Sequence, residues 1–177
     1  MKKFELISIA ALVFMSFVIA APVHGVEENY YLGSGDRVRV TVFGHEDLSG
    51  ELEVGTNGSI SMPLIGEIDV NDRTLRDIEA SIIRKLTPDY LKSPKVSVEV
   101  LAYRPFYIIG EVKNPGSYPY VSGMRVVNAI ALAGGYTYRA RENRLSITSG
   151  KSGEKSVADH GTVVLPGDVV EVPERFF

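Results

Sequence analysis

The chain has 177 residues, 45% hydrophobic and 23% charged, with nine tyrosines, no tryptophan and no cysteine. This is the make-up of an ordinary globular protein of one or two small domains. A formal charge of -3 supplies no basic field for nucleic acid, and the lack of cysteine excludes disulfides, a thiol nucleophile and lipid attachment through a thiol.

Lys2 and Lys3 precede an apolar stretch of 16 residues, Leu6 to Ala21, followed by small residues around Ala20 and Gly25. The stretch is shorter than the roughly 20 residues of a spanning helix. The pattern predicts a secretory signal peptide over residues 1–25, with an uncleaved signal anchor as the alternative. Nothing after residue 25 is long and apolar enough to span a bilayer as a helix.

Val38, Val40 and Val42 alternate with Arg37, Arg39 and Thr41, the period of a half-buried strand. Leu52 and Val54 alternate next, Asn57-Gly58 signals a hairpin, and Ile60 and Met62 resume the alternation. Pro63 and Gly66 break that run before Ile68 and Val70. Thr74 and Asp77 predict a capping box for a helix whose apolar face is Leu75, Ile78, Ile82 and Leu86, with Ile83 beside it. Val96, Val98 and Val100 return to strand. Residues 26–102 therefore read as a small α+β unit.

A second unit is expected over residues 103–177. Strand runs around Tyr107–Ile109 and Tyr118–Val121 flank the turn Asn114-Pro115-Gly116. Ser122 is a candidate cap for a helix carrying Val126, Val127, Ile130 and Ala133, stopped by Gly134 and Gly135. "RLSITS", "GTVVL" and Val169 to Val172 read as short strands. A hairpin, a helix across it and further strands are the order of a β-grasp-like fold.

Three segments carry a family resemblance: "YYLGSGDRVRVTVFG" from Tyr30, "VSVEVLAYRPFYIIGEVKNPGSYPY" from Val96, and "LPGDVVEVPERFF" from Leu165. Together they resemble the outer-membrane polysaccharide export proteins, with an export domain followed by one soluble-ligand-binding β-grasp (SLBB) domain. The resemblance covers about residues 30–177. It implies a non-enzymatic component, exported to the periplasm and associated with the outer membrane, that forms part of a conduit for capsular polysaccharide or exopolysaccharide; the family's lipid attachment is missing here, because there is no cysteine. The partners it implies are the polysaccharide, copies of the same chain in a ring, and an inner-membrane co-polymerase coupled to a tyrosine kinase. Larger members end in an amphipathic helix that forms the outer-membrane pore. Here four residues follow Pro173, about 6 Å if helical, so a separate outer-membrane pore protein is expected. A periplasmic scaffold module that binds glycan or protein without transport is the alternative function.

Within this frame Gly33, Gly35 and Asp36 read as a turn before the first strand, and Gly167 and Asp168 as the same device before the last. Gly110, Pro115, Gly116, Gly134 and Gly135 read as further backbone turns. Candidate glycan or subunit contacts are Tyr103, Arg104, Tyr107, Tyr118, Tyr120, Tyr136, Tyr138, Arg139 and Arg141, because tyrosine joins a flat apolar face to a hydroxyl. Arg139, Arg141, Glu142, Arg144, Lys151 and Lys155 form a mostly basic stretch suited to a solvated loop or to an acidic polysaccharide. Gly33 to Asp36 lacks the Lys-Ser/Thr pair of a phosphate loop, and His45-Glu46-Asp47 lacks partners at ligand spacing. No catalytic, metal or cofactor site is expected.

Overall fold

Val38, Val40 and Val42 turn one face of strand β1 (Arg37–Val42) fully inward. In the computed structural model, which describes residues 30–175, β1 is the middle strand of a three-stranded antiparallel sheet. Its neighbours are β2 (Gly50–Glu53) and β5 (Val96–Ala102). The predicted signal segment and Phe176-Phe177 lie outside the described residues.

The Asn57-Gly58 turn does not join two strands of one ladder, as the sequence pattern predicts. β2 pairs with β1, whereas β3 (Ser59–Met62) pairs with β4 (Gly66–Asp69) in a separate two-stranded sheet. The tight hairpin falls at residues 63–65, where Pro63 and Gly66 read as breaks in the sequence. Leu64 and Gly66 take positive φ there, and Met62 faces Gly66 across the ladder. Helix α1 (Leu75–Leu86) carries the expected capping box: Asp77 N–H donates to Thr74 Oγ1 and Thr74 N–H to Asp77 Oδ2. Ile78, Ile82 and Leu86 are fully buried and close the first core over Val38, Val40, Ile60, Ile68 and Val98.

The second core is built on a five-stranded sheet of order β7-β6-β10-β8-β9. Strands β6 (Phe106–Gly110) and β10 (Val169–Val172) are parallel and central, and the other pairs are antiparallel. In chain order this is 2-1-5-3-4, the β-grasp arrangement expected from the sequence. Parallel neighbours need a long crossover, and everything between Glu111 and Asp168 supplies it. Helix α2 (Val126–Leu132) seals the sheet with Val126, Ala129 and Ile130, against Phe106, Ile108, Val170 and Val172. The whole described chain is α+β.

Local readings need correction in this half. The cap of α2 is Arg125 rather than Ser122: its backbone N–H donates to Asn128 Oδ1 at 3.0 Å, and Val126 and Val127 donate to carbonyls of Thr162 and His160. A tertiary contact thus replaces the side-chain cap, which local sequence cannot show. Val127 faces out, and Ala129 takes its place in the core. The second strand of the hairpin is β7 (Gly116–Tyr118), shorter and earlier than Tyr118–Val121. "GTVVL" is no strand; Val163 makes one bridge with Arg125. The strand after β8 (Leu145–Thr148) is β9 (Lys155–Ala158), an edge segment with three exposed residues and little apolar signal.

Gly110 shows why the hairpin "FYIIGEV" needs its glycine. Its φ is +89°, and a Cβ there would lie 2.0 Å from the Val172 carbonyl oxygen of the adjoining strand. A Cβ at Gly116 would meet nothing within 4 Å, so the close-approach argument applies to Gly110 alone of the two. Gly110→Ala is expected to lower stability by about 2–4 kcal/mol through backbone strain and separation of β6 from β10. A urea midpoint unchanged from the parent chain would contradict this.

Candidate functional site

Asp36 is completely buried at the start of β1, yet its carboxylate is saturated. Oδ2 accepts from the Gly33 N–H at 2.8 Å, from the Tyr30 hydroxyl at 2.6 Å and from Arg104 Nη1 at 3.0 Å. Oδ1 accepts from the Arg104 backbone N–H at 2.7 Å. A buried carboxylate is tolerated only with such pairing. The expected turn is therefore present, but the aspartate does more than shape it. Arg104 is the second residue after β5, so one carboxylate ties the first strand of the first core to the segment that leads into the second.

The arginine enforces small neighbours. A Cβ on Gly33 would lie 2.3 Å from Arg104 Nη1, and one on Gly167 would lie 2.9 Å from Arg104 Nε. Gly35 and Gly167 also take positive φ, +90° and +88°. Asp168, before β10, repeats the device: Oδ2 accepts from the Leu165 N–H at 2.8 Å, three residues back as in Gly33 and Asp36. Its Oδ1 accepts from the Gly150 N–H at 3.0 Å. Two buried aspartates thus stand near one guanidinium, Asp36 bonded to it and Asp168 lining the same cavity.

An aromatic ladder runs beside this pair. Tyr30 meets Tyr103 edge to face at 4.8 Å between centroids, and Tyr103 meets Tyr120 at 5.3 Å. On the other side Lys151 Nζ reaches Asp72 Oδ1 at 2.6 Å and stands 4.9 Å over the Tyr31 ring. A cavity of about 100 Å³ between the two cores is lined by Tyr30, Tyr31, Arg104, Lys151, Leu165 and Asp168. Tyr30 and Tyr31 are residues that reasoning about the second unit passed over, although both stand at the head of the "YYLGSGD" segment.

The remaining expected contact residues separate by exposure. Tyr118 packs on Phe106 at 6.0 Å and its hydroxyl donates to the Asn114 carbonyl. Tyr136 packs on the second core and its hydroxyl bonds His160 Nε2 at 2.8 Å. Tyr103 and Tyr120 belong to the ladder, and Arg104 to Asp36. Only Tyr107 and Tyr138, 43% and 88% exposed, present open rings to solvent. Arg139 pairs with Glu174, Lys151 with Asp72 and Lys155 with Glu171, so three of the five basic residues of the expected stretch are locally neutralised. Arg141 lines a cleft of about 480 Å³ with Glu142, Asn143 and Arg175. Gly134 and Gly135 both take positive φ and end α2. Pro115 is exposed in its turn. Among the described residues no group of three or more His, Cys, Asp or Glu could hold a metal ion.

Removing one partner of a buried pair leaves the other charge uncompensated, at about 3–5 kcal/mol. Arg104 keeps a fifth of its side chain exposed, so Arg104→Met is expected to cost about 3 kcal/mol, at the lower end. Heat or urea unfolding checks it. Burial and the hydrogen bond to Asp36 push the Tyr30 hydroxyl well above the ordinary tyrosine range. A raised pKa means that the folded state holds its proton more tightly. The stabilisation is complete below about pH 10 and is lost as pH rises beyond it. Tyr30→Phe is expected to flatten that alkaline loss of stability, and an unchanged slope above pH 10 would exclude this account.

Known proteins align with both cores. Residues 24–101 match the family model for polysaccharide biosynthesis/export protein, and residues 105–163 match the SLBB domain. The exopolysaccharide production protein ExoF of Rhizobium meliloti (strain 1021) is 33% identical over 120 residues, 61% of this chain and 28% of that protein. The EPS I polysaccharide export outer membrane protein EpsA of Ralstonia solanacearum is 30% identical over 182 residues, 82% of this chain and 48% of that one. The polysialic acid transport protein KpsD of Escherichia coli is 29% identical over 113 residues, 63% and 20% of the two chains. The chain thus spans less than half the length of these relatives. With the two models matching in tandem over the two cores, on either side of Arg104, the chain belongs to the polysaccharide biosynthesis/export protein family, in the form that carries an SLBB domain after the export domain.

Proposed function

We propose that this protein is a conduit element in the export of a capsular polysaccharide or exopolysaccharide. The observation that carries the reading is the tandem match, with the export-protein relative EpsA aligned across both cores. The export domain is taken as residues 26–102 and the SLBB domain as residues 103–177. Its work is positional and breaks no bond: the cores are braced against each other, as a subunit must be if a passage is to keep its width.

The protein acts in the periplasm against the outer membrane, in a ring of identical chains. A closed ring needs a head-to-tail interface whose rotation closes. Tyr107 and Tyr138, open to solvent, are the tyrosines proposed to touch glycan or a neighbouring subunit, together with Arg141 of the same domain. Further partners are the inner-membrane co-polymerase with its kinase and a separate outer-membrane pore protein. Among the described residues no helix is long and apolar enough to cross a membrane.

Deleting the gene is expected to abolish polymer at the cell surface while synthesis of its precursor continues, and light scattering of the purified protein to give a mass several times that of one chain. Secretion unchanged by the deletion would reject the export reading.

A further inference from the structure

Outside the junction, the first core carries a cleft of about 440 Å³ between β4 and the outer face of α1. Three cations converge there. Arg73 Nη1 and Arg84 Nη2 both donate to the hydroxyl oxygen of Ser81, at 3.2 and 3.0 Å. Lys85 Nζ donates to the backbone carbonyls of Glu67 and Ile65. Ser81 is 8% exposed, and its own proton goes to the Asp77 carbonyl at 2.8 Å. Two guanidinium groups are therefore held side by side on one neutral oxygen, with an ammonium one residue further along the helix.

Like charges placed together need a reason, because they repel. The position of Arg84 and Lys85 in the last turn of α1 favours them through the helix dipole, but that does not aim them at Ser81 or bring in Arg73, which precedes the helix. Of the acids nearby, only Asp69 is ion-paired with one of the set. Asp69 reaches Arg73 at 3.3 Å, and Glu67 stands at the rim. Asp77 bonds both Thr74 groups at the start of the helix, and its charge also acts on Arg73. Three cations thus face three carboxylates, of which only Asp69 is ion-paired with one of them, and Arg84 and Lys85 are held on neutral oxygens, beside a hydroxyl and two forked donors.

We propose that this cleft binds the carboxylate of an acidic sugar residue. Arginine forks match the two oxygens of a carboxylate, and with three carboxylates close by a monoanion is repelled less than a doubly charged phosphate. The cleft is open and shallow, so contact with one such residue is weak and short-lived. That suits a polymer in passage, and to this extent the proposal rests on the export reading above.

The test is titration of the purified protein with trigalacturonic acid, with its methyl ester, and with inorganic phosphate at matched ionic strength. The acid is expected to bind and the uncharged ester to fail. Arg84→Gln and Arg73→Gln should each weaken binding about tenfold, the loss of one charge-assisted contact. Arg84→Lys should recover part of it by restoring charge without the fork. Far-UV circular dichroism checks that α1 persists in each variant. Equal binding of acid and ester, variants that bind like the parent, or displacement of the acid by phosphate at lower concentration would each overturn the proposal. Gene deletion run alongside separates the two failures. Secretion that survives deletion rejects export, whereas secretion lost on deletion with no carboxylate-specific binding rejects this site alone.

Discussion

A single buried ion pair, Asp36 with Arg104, sets what the rest of the structure can do. Its partners come from three places in the chain: the segment before β1, the turn into β1 and the stretch after β5. Burial of a charge costs several kcal/mol unless every lone pair is met. Asp36 meets that cost with two backbone N–H groups, a phenol and a guanidinium. The consequence is geometric: the chain cannot leave β5 in another direction without orphaning the carboxylate. Glycine at positions 33 and 167 follows from the space the guanidinium occupies, as much as from turn conformation.

Around that pair the two cores are held by contacts of different kinds. The Tyr30-Tyr103-Tyr120 ladder supplies apolar area and edge-to-face attraction, insensitive to salt. Lys151 with Asp72 and Tyr31 is more exposed and is weakened by screening. The interface is thus stiff near Arg104 and softer toward Lys151. A stiff joint suits the conduit role proposed above, in which a hinge would let the passage change width.

The separation of roles among polar side chains follows the same logic. Most of the second unit's tyrosines and several of its cations are engaged within the fold: Tyr118 with Phe106, Tyr136 with His160, Lys155 with Glu171. The convergence of Arg73, Arg84 and Lys85 lies instead on the export domain, where nothing in composition draws attention to it. Surface groups that have already found partners make poor binding sites. Arg84 and Lys85, bonded to neutral oxygens, keep their charge available to an anion.

The sequence by itself determined the elements whose signal is local. β1 and α1 were legible because valine alternation, helical spacing and the Thr74–Asp77 box arise within a few residues. The order of the second half pointed to a β-grasp, and the glycine of "FYIIGEV" marked a backbone turn, whose close approach to Val172 only the structure shows. Only the tertiary structure decided which strand Asn57-Gly58 would serve, because pairing partners are chosen by burial across the sheet and not by the turn between them. It also decided that α2 would be capped by carbonyls more than 30 residues away, that faint β9 would be a strand, and that "GTVVL" would not. The candidate site divides the same way. Gly33, Asp36, Gly167 and Asp168 were readable as turns, yet their meeting at Arg104 joins residues about 70 and 60 positions apart on either side. No window of sequence spans that distance; packing alone brings them together.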